Sequence, residues 1–69
     1  MSTATRVRDE RAMTLAREFA DSGKYLSWWF IEVELRSLGY RRARYLLDDE
    51  HIRAELDRRC QAAQKRPRL

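Results

Sequence analysis

The chain has almost none of the residues that punctuate or staple a fold: one cysteine (Cys60), one proline (Pro67), one histidine (His51) and two glycines (Gly23 and Gly39) in 69 residues. A lone cysteine excludes an internal disulfide. One Cys and one His cannot supply the four nitrogen or sulfur ligands of a structural zinc site, so no metal is expected. With no phosphate-cradling glycine loop, no cofactor is expected either. No Ser/His/Asp or Cys/His set stands at helical reach, which makes a non-enzymatic protein the expectation. Long apolar runs are missing as well. None approaches 18 residues, and the start MSTATRVRDER has no apolar signal-peptide core, so the expectation is a cytoplasmic protein without membrane or small-molecule partners.

What is present is helix-forming. Leu, Arg, Ala and Glu dominate between the two glycines and the proline, an all-α composition. The apolar spacing predicts a small bundle of three to four helices forming a single domain over 1–64, with a disordered basic tail over 65–69. Ala12, Leu15, Ala16 and Phe19 recur at i, i+3, i+4 and i+7 and make one stripe, closed by Asp21, Ser22 and Gly23, so the first helix is expected over 5–22. The second is expected over 27–38. Ser27 is placed to accept from a first-turn N–H, Leu26 to staple onto Ile31, and Gly39 to take a left-handed conformation with Tyr40 folding back behind it. Ala43, Leu46 and Leu47 lie nearly opposite Ile52, Leu56, Cys60 and Ala63 on one continuous helix, and one straight rod cannot bury both sets. A break at Asp48 or Asp49 resolves this, giving a short third helix over 41–47 and a fourth over 49–64, with Asp49–Arg53 and Glu55–Arg59 pairs on its wet face. His51 belongs to that capping region as an exposed residue, and Cys60 to the apolar stripe.

Charge is uneven. Residues 1–40 hold six basic and six acidic side chains and residues 41–69 hold nine and five, so the whole net charge of +4 sits in the second part. Arg41, Arg42 and Arg44 crowd the third helix, and Lys65, Arg66 and Arg68 crowd the tail; both groups suit phosphate contact by counterion release. The alternative is that these are ordinary solvated arginines.

The second helix, the Leu38-Gly39-Tyr40 turn and the arginine-bearing third helix together resemble a helix-turn-helix DNA-binding domain over about 20 residues, Ile31 to Glu50. Gly39 matches the turn glycine, Leu38 the apolar residue before it, and Tyr45 the inward position of the second motif helix. Leu35 stands where the motif favours a small residue, and Glu34 and Asp48 where it favours apolar ones. The resemblance implies DNA contact by Arg41, Arg42 and Arg44; with the basic tail this makes a small DNA-binding regulatory protein the expectation, and a dimer would fit two DNA half-sites. The same Leu38-Gly39-Tyr40 turn also looks like the loop of ubiquitin-associated-type three-helix modules, which implies a protein partner.

The second helix holds a separate signal. Trp28, Ile31, Leu35 and Leu38 form one stripe, while Trp29, Phe30 and Val33 lie on much of the opposite side. A helix apolar nearly all round is normally covered on both sides, yet a domain this small buries only about 60% of its unfolded surface. Either the other helices wrap this one completely, or Trp29, Phe30 and Val33 form a surface patch for a second copy or a larger protein, as an adaptor, antitoxin-like partner or inhibitor would use.

Overall fold

The computed structural model describes residues 3–65, and within them the chain is four helices with no strand. They are α1 (Thr3–Asp21), α2 (Trp28–Ser37), α3 (Ala43–Leu46) and α4 (Glu50–Gln64). This is the expected all-α bundle. The third helix is shorter than the expected 41–47: a single turn held by Leu46 N–H to Arg42 O at 2.8 Å and Leu47 N–H to Ala43 O at 2.9 Å.

Small residues on α1 set the architecture. Ala12, Ala16 and Ala20 are all buried, a four-residue spacing that keeps one face of the helix thin. The remaining three helices pack against α1. Ala16 and Ala20 meet Ile31 and Leu35 from α2, Ala43 and Leu47 from the α3 segment, and Leu56 and Cys60 from α4 in one apolar core. The two opposed stripes read in the sequence are thus buried together, because the chain turns between them. At that turn the Asp49 carboxylate accepts from the N–H groups of His51 at 2.8 Å and Ile52 at 3.1 Å, which caps α4 as expected.

The end of α2 is a Schellman turn. Gly39 has φ +96°; its N–H bonds to Arg36 O, and that of Tyr40 bonds to Leu35 O, both at 3.0 Å. The start of α2 departs from expectation. Ser27 stands at the N-cap without a side-chain cap bond, and the Trp28 N–H donates instead to the Asp57 carboxylate of α4 at 2.9 Å. A carboxylate from another helix satisfies the orphan donor that a local cap would otherwise serve. Leu26 does not staple onto the core either, being 68% exposed.

Two ion pairs tie α1 to α4. Glu55 takes Arg17 of α1 at 2.9 Å and Arg59 at 3.1 Å, and Arg59 reaches Asp21 of α1 at 2.9 Å. The hydrogen bond from Arg17 holds the Glu55 carboxyl below the usual range despite some burial, with the charges of Arg17 and Arg59 adding to it. The expected Asp49–Arg53 pair is replaced. Arg53 bonds Leu47 O at 2.7 Å and Asp48 at 3.3 Å and stacks 3.9 Å over the Trp28 ring. With Asp49 committed to two backbone donors, the guanidinium turns to the carbonyl and the ring on the other side.

Candidate protein-interaction face

α2 is the helix on which core and surface meet. Its inner side buries Ile31, Glu32 and Leu35, and α1, α3 and α4 all pack onto α2. No element among the described residues covers the outer side. Trp29 is 52% exposed, Phe30 43% and Val33 44%. Trp29 and Phe30 meet edge to face with centroids 5.1 Å apart, a geometry that aromatic pairs favour. The other helices therefore do not wrap α2 completely, and these three side chains lie at the surface of the described residues.

The patch extends beyond the helix. Phe30 and Val33 line a shallow groove of about 410 Å³ together with Tyr25, Leu26, Lys24 and Glu34. Tyr25 forms its inner wall, half-buried against the core and 5.2 Å from the Phe19 ring. Burial pushes the Tyr25 phenol above its ordinary pKa, and the negative charge of Glu34 adds to the effect. The sequence reading missed Leu26, Lys24 and Glu34 as members of this face. Leu26 precedes α2, so no helical periodicity could place it, and in the sequence Glu34 stands out only as a charged residue where the helix-turn-helix pattern favours an apolar one.

Glu32, the buried charged residue of α2, sits at the edge of a second cleft. Its carboxylate is 3.9 Å from Arg36, and Trp28, Trp29, Arg44, Asp48 and Arg53 complete the lining. Trp29 therefore lines a cleft rich in arginine and meets Phe30 of the apolar groove through its ring.

Of the basic residues singled out in the sequence, Arg41 and Arg42 line one cleft and Arg44 another. Arg41 and Arg44 are exposed, but Arg44 lines the cleft beside Trp29, whereas Arg41 and Arg42 share the cleft formed with Thr5, Arg8, Asp9 and Tyr40. Arg42 is anchored: its Nε donates to both oxygens of Asp9 at 3.1 Å, and its guanidinium lies 4.7 Å over the Tyr45 ring. Tyr45, expected inward, is 66% exposed beneath it. On a one-turn helix the inward positions go to Ala43, Leu46 and the adjoining Leu47, which leaves Tyr45 on the outer side. Lys65 is exposed just after α4, while Arg66 and Arg68 lie outside the described residues. The Arg41 cleft, about 310 Å³, has its other ionic groups engaged within the fold, since Arg8 bonds Gly39 O at 2.8 Å and stacks on Tyr40.

Cys60 is buried, and that burial raises its thiol pKa, with Asp57 and Asp21 adding to the effect. It is the inert core residue that its place in the stripe implied. No group of three or more His, Cys, Asp or Glu residues among those described could hold a metal ion. No described helix is long and apolar enough to cross a membrane.

Comparison of the chain with protein-family models, with curated proteins and with solved structures gave no match.

Proposed function

We propose that this protein is a small interaction module without chemistry of its own, and that the outer face of α2 is its docking surface for a helix carrying an apolar stripe. The observation that supports this reading is the contiguity of Leu26, Trp29, Phe30 and Val33, all exposed, on one side of α2 and its entry. Four large apolar side chains exposed together are unusual in a chain with so little core to spare. Aromatic side chains in such a setting are the usual anchors of protein interfaces, and a shallow apolar groove beside a helix suits helix-in-groove recognition.

The test is site-specific photo-crosslinking in the producing cell, with the photoreactive residue at Val33 and, as reference, at exposed Arg58 of α4. The expected result is an adduct from position 33 that position 58 does not give and that Trp29→Ala removes. Absence of any adduct from position 33 would overturn the reading. Trp29→Ala itself should leave the helical circular dichroism unchanged, because half of the side chain is already in water.

A second reading, DNA binding, draws support from Arg41 and Arg44, which are exposed, with Lys65 as a further cation. Under it, the chain should bind a mixed-sequence duplex at low salt. Replacing Arg41 and Arg44 by Ala should then make the dependence of log K on log salt shallower by about two. No binding at low salt would remove this reading, since unspecific phosphate contacts appear there first.

A further inference from the structure

The docking face of α2 has a property that selects among partners: its ends carry opposite charges. Lys24 and Glu34 line the same groove as Leu26, Phe30 and Val33. Lys24 lies at the end where the chain enters α2, and Glu34 lies near the helix C-terminus. Between them the exposed apolar residues run Leu26, Trp29, Phe30, Val33, and this order is symmetric about the step from Trp29 to Phe30.

Resting on the reading of this face as a docking surface, we infer that its occupant is a second copy of the same chain, packed with the two α2 helices antiparallel about a two-fold axis through the Trp29–Phe30 step. A two-fold interface uses the same patch twice and must be self-complementary. Antiparallel pairing about that axis sets Leu26 opposite Val33 of the partner subunit and Trp29 opposite Phe30 of the partner subunit. The same operation brings Lys24 to the end of the face that holds Glu34 of the partner subunit, twice in the dimer. A parallel pairing would place Lys24 against Lys24 and Glu34 against Glu34, so the charges choose the direction. They also disfavour a strongly acidic or basic partner, because the rim of this groove carries one charge of each sign and is neutral as a whole.

The chain also has little else with which to cover these residues. Among the described residues the fully buried large side chains are Ile31, Leu35, Leu47 and Leu56, with Cys60, and a single cysteine allows no internal disulfide. Small domains in that position commonly gain their remaining stability from a partner subunit. One ten-residue helix is about 15 Å long, which puts the interface at the small end of specific contacts and the expected dissociation constant in the micromolar range, about 1–100 μM.

The test uses the full chain in sedimentation equilibrium from low micromolar to millimolar concentration. Wild type should dimerise, and Trp29→Ala should remain monomeric throughout. Lys24→Glu and Glu34→Lys should each weaken the dimer about tenfold, because each turns two attractive pairs into two repulsive ones. An equimolar mixture of these two variants should recover wild-type affinity, since each variant then presents its like charges to the opposite charges of the other. Recovery on mixing needs contact between chains, which an ion pair within one chain could not give, and weakening of each single variant needs the antiparallel sense, because in a parallel pair wild type would carry the same like-charge repulsion as the variants. A wild type that stays monomeric to millimolar concentration overturns the inference, as does a mixture no tighter than its components. The docking reading is separable from it. A monomeric wild type together with a position-33 crosslink to a different protein would remove self-association and keep the docking face, whereas no crosslink at all would remove both.

Discussion

Leu35→Ala should leave most of the chain unfolded at 37 °C. Leu35 has no exposed surface and stands in the shared core with Ala16, Ile31, Leu56 and Cys60. Its carbonyl also accepts the Tyr40 N–H that closes the end of α2, so the side chain is anchored where the helix meets the turn. Removing three carbons from such a site costs roughly 2–5 kcal/mol through lost burial and the cavity left behind. A single core in a chain this short supplies about 3–5 kcal/mol in total, so the substitution removes most of it. Urea denaturation followed by circular dichroism reads the loss. The matched comparison is Leu38→Ala, three residues later, which should change stability by less than about 0.5 kcal/mol. Leu38 is 51% exposed because α2 ends at Ser37 and Leu38 is its C-cap. Equal effects of the two substitutions would contradict this packing.

Ala16→Leu should be nearly as damaging, for the opposite reason. Ala16 is fully buried at the centre of the Ala12, Ala16, Ala20 stripe, on the side of α1 that faces the core. The space there is a methyl group wide. Three added carbons must either push α1 away from the other helices, and with it the Arg17–Glu55 and Arg59–Asp21 pairs that span α1 and α4, or force strained rotamers. Overpacking of this kind costs about 1–3 kcal/mol and occasionally more, a large share of what the domain has. Thermal unfolding should show a transition lower by about 4–8 °C for each kcal/mol lost. Ala54→Leu, on the exposed side of α4, makes the same chemical change without touching the core and should leave the transition where it is. An Ala16→Leu protein as stable as wild type would mean that α1 does not pack by its alanines.

Both effects trace to a core that is small and alanine-rich, so that large side chains a bigger protein would bury remain outside. Leu26, Trp29, Phe30 and Val33 are surplus to the core rather than part of it. That surplus is what supports a partner-binding role over one in which the arginines act alone. The structure sends Arg41 and Arg44 to separate clefts and engages Arg42 with Asp9.

The sequence by itself determined the helical class, a break at Asp48 or Asp49, the glycine turn after α2 and the burial of Cys60 and of Ala12 and Ala16 on α1. These are local or periodic properties: a capping carboxylate, a residue with φ above zero, and apolar spacing at three and four act within a few residues. It also marked α2 as apolar on two sides. Only the tertiary structure decided which side faces water, because that depends on where three other helices pack, and a wheel drawn for one helix holds no information about its neighbours. The same limit hid the capping of Trp28 by Asp57, 29 residues away, the anchoring of Arg42 by Asp9, 33 residues away, and the place of Leu26, Lys24 and Glu34 on one face. Each depends on how the helices sit against one another, through space that the folded core alone creates.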